Sequence, residues 1–487
     1  MSSPKKVAIV GSGAAGIAAL WALHYHSPHH VSLYEAADRL GGHTNTVEFE
    51  KDGYRVPVDT GFIVLNRATY RLANFLSFLR AIDVPTALSE MTFSVSRDSG
   101  AFEWAGTSLQ SIFAQRKNLF STDMWLMLFD IIRFNYYALD VLREGQNNHT
   151  NTLTIGEYLD RERYSQSFRD NYLIPMTAAI WSTSPEKTAL EFPAVTLIRF
   201  MWNHHLLSTL ATRPEWRTLP HGAKRYIDAV LSHIPSDRIH LNHTVQTISP
   251  DPSSSQQHIR LTTTNNQTHT FDHVILATHA PQALSMISSS ATPTERALLS
   301  AFQTSPNTAV LHSDESLLPR CRRTWSSWNY LTTSQNTQVS LTYNMNKLQH
   351  IPSSRYGSVL VTLNPLRAPD PDTVQGVYEY AHPLYTRAVV DAQEQLHNIQ
   401  GIRGVSYAGA WTRYGFHEDA VTSGLRAAVE DLGARIPFGV VDSTHRRGGV
   451  RELTWVDGLF RLVMQGVLWV LGCFGGGRKK QGKGKGV

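Results

Sequence analysis

A glycine-rich turn near the start of the chain has residue types and a spacing that hold phosphate. In GSGAAG, Gly11, Gly13 and Gly16 follow the strand-like run Lys6–Val10 and open an apolar stretch at helical spacing, Ala14–Tyr25. The first glycine permits a tight turn, the second lets the backbone approach a pyrophosphate, and the third allows close helix packing. The helix N-terminus adds N–H groups directed at the anion. The turn predicts a dinucleotide site that also includes Ser12, Ala14 and Ala15.

An acid follows at the position where a ribose would lie. Glu35 ends a second strand-like run, Val31–Glu35, 19 residues after Gly16, and is followed by Ala36. Its carboxylate can accept hydrogen bonds from both ribose hydroxyls. A structural turn with a solvated glutamate is the alternative, but strand, helix and acid are all in register with the dinucleotide fingerprint. That fingerprint serves NAD and FAD equally.

A second phosphate-binding element follows the acid and distinguishes the two cofactors. In EAADRLGG, Arg39 supplies a cation, and Gly41 and Gly42 supply unhindered backbone amides. An acid followed by Arg-x-Gly-Gly resembles the signature of the flavin amine oxidase and phytoene desaturase superfamily, which implies FAD. The resemblance places three further residues along the ribityl chain or near the isoalloxazine ring: Thr44, Thr60 and Gly61.

A closing signature extends the resemblance over most of the chain. YAGAW at Tyr407–Trp411 precedes GFHEDAVTSG at Gly415–Gly424, and in the family this region holds the ribityl chain and the N1/O2 edge of the flavin. A helix N-terminus suits that edge because reduced flavin is negatively charged there. The FAD contacts assigned here, with one from the middle of the chain, are Val245, Gly409, Ala410, Gly415, Phe416, His417 and Ala420.

Other strings bear on the substrate. DTGF, TAAIWST and GFHED are similar to a branch of NAD/FAD-binding proteins often encoded beside cyclopropane-fatty-acid-synthase-like methyltransferases, which implies an acyl-chain substrate. Family amine oxidases place a lysine near the flavin shortly after residues that match Ser305–Asn307, but the first lysine downstream is Lys347, which weakens the amine-oxidase interpretation. No cysteine lies between Cys321 and Cys473, so we expect non-covalent FAD; a histidyl link stays open.

The flavin carries the redox step, and no catalytic residue is identified from the sequence. The favoured function is an FAD-dependent dehydrogenase or desaturase that takes hydride from an unsaturated acyl or isoprenoid substrate and passes electrons to oxygen or a carrier. Oxidative deamination of an amine, and an isomerase or interaction protein with structural FAD, are the alternatives. Motif position and aromatic character select pocket candidates, although each aromatic ring could equally pack in the core: Trp181, Tyr330, Tyr414, Phe416 and His417.

The elements that must position these residues predict an α/β protein. We expect a discontinuous Rossmann-type FAD-binding domain, a mixed α+β substrate or cap domain, and a C-terminal amphipathic helix. The FAD-binding domain is expected to comprise residues 1–60, 221–285 and 401–435. The substrate domain is expected to comprise 61–220, mostly helical, and 286–400, and a linker, the amphipathic helix and a basic tail fill 436–487.

Composition excludes several other classes. The chain has 487 residues, 42% of them hydrophobic, and the net charge of +5 equals the five Lys and Arg of its last ten residues. The remainder is therefore near neutral, without the basic stripe of a nucleic-acid-binding protein. Two cysteines exclude a disulfide framework, and the N-terminus lacks the plan of a secretory signal, so we expect a cytosol-facing protein. No metal site is predicted, because one histidine cluster fits a surface loop better: His24, His26, His29 and His30.

The C-terminal stretch from Leu459 to Phe474 is apolar apart from Arg461 and Gln465. With Asp457, these polar residues recur every four positions and so share one helical face. Sixteen residues span about 24 Å, less than the hydrocarbon core of about 30 Å, so a helix lying in the interface is favoured over one that crosses it. We therefore expect peripheral membrane contact through residues 455–487; a helix packed on the body is the alternative.

Overall fold

A computed structural model describes most of the chain. The described ranges are 3–66, 73–147, 153–181, 190–207, 215–253, 258–334, 339–441 and 453–475.

The strands, in chain order, are β1 (Lys6–Val10), β2 (His30–Tyr34), β3 (Thr46–Lys51), β4 (Tyr54–Asp59), β5 (Leu65–Asn66), β6 (Ala87–Ser89), β7 (Phe93–Arg97), β8 (Phe102–Ala105), β9 (Trp216–Thr218), β10 (Ile239–His240), β11 (Val245–Pro250), β12 (Ile259–Thr263), β13 (Thr268–Phe271), β14 (His273–Leu276), β15 (Thr304–His312), β16 (Trp328–Thr332), β17 (Val339–Asn344), β18 (Leu360–Leu363), β19 (Val374–Pro383) and β20 (Val405–Tyr407).

The α-helices are α1 (Ala14–His26), α2 (Asn74–Ala81), α3 (Leu109–Ile112), α4 (Thr122–Asn147), α5 (Ile155–Arg161), α6 (Gln166–Phe168), α7 (Ile174–Trp181), α8 (Ala194–Asn203), α9 (Lys224–Leu231), α10 (Ala280–Met286), α11 (Pro293–Leu299), α12 (Met345–Leu348), α13 (Ser353–Tyr356), α14 (Arg387–Gln395), α15 (His417–Arg426) and α16 (Trp455–Gly475).

One sheet gathers strands from three distant parts of the chain. Its order is β10-β2-β1-β14-β20, and every pairing is parallel. Helices cover it, and α1 packs so closely on α15 that a Cβ on Gly424 would lie 2.0 Å from the carbonyl oxygen of Ala15. The expected α/β class with a parallel sheet is thereby confirmed. Because all strands run the same way, their carboxyl ends meet at one edge.

A second, seven-stranded sheet has the order β19-β15-β18-β17-β16-β7-β8. Its pairings are antiparallel except for β16 with β7. Two of its strands lie in 61–220, the segment predicted to be mostly helical, and β6 and β9 are also strands there. The alternation of Phe93-Ser-Val-Ser-Arg97 has the period of a strand, and this short signal is outweighed in the sequence by the long helical run that becomes α4.

Helices α4 to α8 form a layer with a shared apolar core. Phe134 on α4, Leu159 on α5, Phe168 on α6 and Leu197 on α8 are all buried in it. Helix α16 lies along α4, where the Tyr136 hydroxyl donates to Asp457 (2.9 Å). Within the described ranges, no helix combines the length and the apolar character needed to cross a membrane.

Candidate cofactor and substrate site

A cavity of about 700 Å³ opens at the carboxyl edge of the parallel sheet. Val10 and Tyr34, the last residues of β1 and β2, line one end of it, and Ala381–Pro383 at the end of β19 line another part. Its volume lies within the range of about 300–1,000 Å³ that small-molecule and cofactor sites occupy. The cavity therefore reaches from the parallel sheet to the seven-stranded sheet.

The glycine turn forms one wall of this cavity. Gly11 donates its N–H to Tyr34 O (2.8 Å), and a Cβ on Gly16 would lie 1.9 Å from Gly11 O. Gly16 is thus required for packing and is not among the lining residues. Gly13 does line the cavity, and a Cβ there would meet nothing within 4 Å. The open space beside Gly13, at the N-terminus of α1, fits a phosphate.

Glu35 holds the loop that surrounds the turn. Its carboxylate accepts from the Ser12 N–H (2.9 Å), the Ser12 hydroxyl (2.5 Å) and the Ala37 N–H (2.9 Å). A carboxylate has about four acceptor positions, so one remains for a ligand hydroxyl. Both Glu35 and the neighbouring Ala36 line the cavity, as the prediction requires for a ribose contact.

The Arg-x-Gly-Gly segment contributes its backbone. Gly41 donates to Ser12 O (3.1 Å), and Gly41, Gly42 and Thr44 line the cavity. Arg39 does not line it: the exposed side chain donates to Gly42 O (3.0 Å). Arg39 therefore fixes the loop, and in this structure its charge is not directed into the cavity.

In the segment at the end of β4, one residue lines the cavity and two residues have structural roles. Gly61 lines the cavity, but the Thr60 hydroxyl donates to Asn45 O and pairs with the Tyr380 hydroxyl (2.7 Å), outside the lining. Asp59 is fully buried and accepts from the Ala223 N–H (2.9 Å), and burial raises the pKa of Asp59 to about 7. Asp59 and Thr60 hold the hairpin β3–β4 in place.

The N-terminus of α15 closes the opposite wall, lined by Gly415, Phe416, His417 and Ala420. The His417 ring stacks on Phe62 (3.8 Å between centroids) and its Nε2 pairs with the Tyr226 hydroxyl (3.0 Å). Burial lowers the pKa of His417 to about 3, so its imidazole is neutral. The preceding loop adds two residues and β11 adds one: Gly409, Ala410 and Val245.

Three of the five pocket candidates line the cavity, and two do not. Trp181 and Phe416 line the cavity with ring centroids 6.3 Å apart. Tyr330 and Tyr414 are not among the lining residues: Tyr330 is buried within β16, and the Tyr414 carbonyl accepts from Trp181 Nε1 (3.0 Å). Tyr414 therefore orients Trp181 through its backbone.

Three histidines that the sequence analysis did not select line the cavity together. The His43 ring lies 5.9 Å from His279 and 5.3 Å from His382, between centroids. Among the described residues, His43 Nε2 and His382 Nδ1 have no hydrogen-bond partner. Burial lowers the pKa of His43 well below its usual range, and burial together with His279 lowers the pKa of His382 to about 4. No motif links positions so far apart in the chain, so only the fold reveals this cluster.

Metal binding gains no support from the part of the chain that the structure describes. No group of three or more His, Cys, Asp or Glu side chains there could hold a metal ion.

A glycine turn at a helix N-terminus, an acid after the next parallel strand, and a cavity at the sheet edge define a dinucleotide-binding protein. Residues 14–364 match the family model described as flavin containing amine oxidoreductase. The chain belongs to that family. It is accordingly an FAD-dependent oxidoreductase, and the expected FAD cofactor is confirmed. Open backbone at Gly13 and a free acceptor position at Glu35 are the features that fit this cofactor.

Solved structures with the same fold span almost the whole molecule at low identity. Cyclohexylamine oxidase from Brevibacterium oxydans is 14% identical with a TM-score of 0.61, covering 88% of this chain and 98% of that one. A fatty acid isomerase from P. acnes that produces CLA is 13% identical with a TM-score of 0.58, covering 89% and 100%. A putative protoporphyrinogen oxidase from Exiguobacterium is 15% identical with a TM-score of 0.60, covering 88% and 99%. At these identities the likeness concerns the fold alone.

Closer sequence similarity is confined to a short stretch. L-amino-acid oxidase from Pseudechis australis is 47% identical over 55 residues, 11% of this chain, and that from Bungarus fasciatus gives the same identity and coverage. The chain matches about a tenth of the length of these relatives.

Proposed function

We propose that the enzyme dehydrogenates an uncharged, lipid-like substrate such as an unsaturated acyl or isoprenoid chain. One observation carries the proposal: among the described residues that line the cavity, Glu35 is the one acid and none is lysine or arginine. Glu35 is engaged at the glycine turn by Ser12. A cationic or anionic substrate held away from water needs an opposite charge or a metal, and the rest of the lining supplies no fixed charge.

Four of the five histidines that line the cavity add no charge to it. His382 and His417 have pKa values near 4 and 3, and burial also lowers the pKa of His43 and His279. All four rings are therefore neutral at pH 7. A neutral ring with an unpartnered nitrogen, as at His382 Nδ1, can accept a proton or a hydrogen bond from the substrate.

Apolar side chains supply the surface that a hydrocarbon would contact. Ile63, Val64, Trp181, Met286 and Phe416 all line the cavity. When bound, FAD supplies a two-electron acceptor that takes hydride from the substrate, and oxygen or an electron carrier removes the electrons. The protein's part is to orient the C–H bond and to exclude water.

We assign the cofactor along the cavity as follows. Residues Gly11–Ala15 would hold the pyrophosphate, and Glu35 would hold the ribose. The Gly41–Thr44 loop, Gly61 and the N-terminus of α15 would hold the flavin. Burial raises the pKa of Asp419 to about 7, and this side chain accepts from the Phe416 N–H (3.0 Å) to hold that terminus in place.

Oxidative deamination is the second candidate, and the aromatic lining favours it. Trp181, Trp328, Tyr343 and Phe416 present rings to the cavity, and aromatic faces attract organic cations. The fold is shared with cyclohexylamine oxidase as well as with a fatty acid isomerase. An isomerase would use the same apolar cavity without net oxidation.

Anaerobic titration of the purified holoprotein separates these functions. We expect uncharged unsaturated lipids, such as fatty acid esters and isoprenoid hydrocarbons, to bleach the oxidised flavin band and a panel of primary and secondary amines to leave it unchanged. Bleaching by amines alone would overturn the proposal in favour of deamination. A silent flavin together with a shifted double bond in the recovered lipid would identify an isomerase.

A further inference from the structure

Helix α16 is attached to the body by its polar side. Arg461 donates to both carboxylate oxygens of Asp140 on α4 (2.7 and 2.8 Å), and Asp457 accepts from the Tyr136 hydroxyl. The Phe460 ring packs 4.5 Å from Tyr136. Positions 457, 460, 461 and 464 share one helical face, and that face is the one turned toward the protein.

The opposite face is apolar and open. We call it the outer face of α16, and its members with their exposed fractions are Trp455 (81%), Val456 (53%), Leu459 (59%), Leu462 (68%), Val463 (56%), Val467 (37%) and Trp469 (72%). A helix of a soluble domain normally turns its apolar stripe to the core. Here the charged residues are turned inward and paired, so the arrangement is inverted.

The exposed apolar surface continues beyond the start of α16. Trp125 and Ile132 are 52% and 47% exposed, and they lie eleven and four residues before Tyr136, on the same face of α4. Phe120, just before α4, is 91% exposed. A surface this large is more than the scattered exposed residues of an ordinary monomer.

We propose that the outer face of α16 lies in the surface of an anionic lipid bilayer. The ten residues that end the chain include Arg478, Lys479, Lys480, Lys483 and Lys485 and no acid, which complements a negatively charged membrane. Trp455 and Trp469 stand about 21 Å apart along the helix, and tryptophan prefers the boundary between lipid and water. Arg461 and Asp457 are paired on the protein side, so neither charge has to enter lipid.

Helix α8 connects α4 with the substrate end of the cavity. Helix α4 packs on α8, and Phe200 of α8 stacks on Phe416 (5.0 Å between centroids). The membrane proposal rests on α16, the exposed apolar residues at and just before α4, and the tail, and it stands or falls independently of the substrate.

Vesicle flotation of the full-length holoprotein tests the proposal. We expect it to float with vesicles of phosphatidylcholine and phosphatidylserine, and binding to fall at high salt because the tail contributes through charge. Replacing Leu459 and Leu462 by Glu should weaken binding at least about tenfold. Neutralising the five basic residues with Gln should abolish the preference for phosphatidylserine.

Ile402→Glu is the matched control, because Ile402 is a similarly exposed apolar residue (48%) away from α16. It should float like the unmodified protein, and all variants should keep their flavin spectrum. Unchanged flotation of the Leu459→Glu, Leu462→Glu variant would overturn the proposal. A second result would also overturn it: the unmodified protein binds no vesicles and sediments as a dimer, and the Leu459→Glu, Leu462→Glu variant sediments as a monomer. A second copy of the chain would then cover this face.

Discussion

The two ends of the cavity are built in different ways. At the phosphate end, the contacts come from backbone groups of Gly11–Ala15 and Gly41–Gly42, tied together by Glu35 within one strand–helix–strand unit. At the other end, side chains converge from segments far apart in the chain, such as His43, His382 and Phe416. A site built from backbone groups tolerates few substitutions at its glycines. A site built from side chains can be changed by substituting one residue at a time. We therefore infer that the first end specifies the cofactor and the second end the substrate.

Substitution of the glycine turn should give the largest effect. Gly13→Val should fold, because the space beside Gly13 is open, but it should weaken FAD binding roughly a hundredfold or more by filling the place of the pyrophosphate. Gly16→Val should instead destabilise the fold, since its Cβ would meet Gly11 O. Flavin absorbance and circular dichroism distinguish the two losses, and Gly439→Ala, with open space around it, serves as the control. Retention of FAD by Gly13→Val would break the assignment of the phosphate end.

Changing the acid should produce a smaller loss at the same end. Glu35→Ala should weaken FAD binding roughly ten- to a hundredfold, because it removes a charged hydrogen-bond acceptor and frees Ser12. Glu35→Gln should lose less, since one amide oxygen can still accept. Fluorescence titration of apoprotein with FAD measures both. Equal affinity for all three proteins would mean that Glu35 serves only the loop.

At the substrate end, substitution should spare the cofactor. Phe416→Ala removes the ring that stacks on Phe200 and should raise KM about tenfold through lost apolar contact, with FAD retained. Phe416→Leu, which keeps most of the apolar surface, should stay close to the unmodified enzyme. Steady-state kinetics with the substrate found by anaerobic titration gives the comparison. Loss of FAD from Phe416→Ala would show that the two ends are not separable.

Lowering the pH should reduce the stability of the fold gradually, and this effect should be smaller than those of the substitutions. Burial holds the pKa of several histidines at about 3 to 4, so between pH 6.5 and 4 the unfolded chain binds protons that the folded chain does not, and stability falls as pH falls. Burial raises the pKa of Asp59 and Asp419 to about 7, so their stabilising effect is lost as pH rises toward 7 and opposes the trend. The more numerous histidines should prevail: His204, His273, His312, His382 and His417.

Thermal unfolding at pH 5 and pH 7 measures this dependence. His312→Gln, at a site outside the cavity lining where Nε2 pairs with the Thr362 hydroxyl (2.6 Å), should reduce the difference in midpoint between the two pH values. His397→Gln, at an exposed position, is the control. A midpoint that rises on acidification would show that the two buried acids prevail.

The phosphate end of the cavity could be predicted from the sequence, whereas most of the substrate end could not. The bounds of β1 and α1 were predicted within one residue, and β2 was displaced by one, because spacing along a single strand–helix–strand unit determines them. Tyr330 was chosen for its aromatic character, but Trp328, two residues earlier on β16, lines the cavity together with its cross-strand partner Tyr343. Residues two positions apart along a strand are separated by about 6.6 Å. The register of the sheet therefore determines which of the two aromatic residues lines the cavity, and a single sequence does not reveal that register.

The histidine cluster shows the same limit more strongly. His382 lies beside Ser305 in the pairing of β19 with β15, at the region where the absent family lysine was sought. His43 follows the Arg-x-Gly-Gly loop, and His279 follows β14. Each residue taken alone is an ordinary histidine. The three histidines become neighbours only because three distant segments of the folded chain meet at the cavity.

The three-part parallel sheet has a consequence for biosynthesis. β1 pairs with β14, and β14 with β20, so the strands at Lys6 and Tyr407 belong to one sheet, and α15 follows only at His417. At about 5 to 20 residues per second, a ribosome needs tens of seconds to add the last of these elements after the first. During that interval the nascent glycine turn has no opposite wall. Flavin capture therefore follows the synthesis of α15, and we expect a chain truncated before residue 405 not to retain FAD.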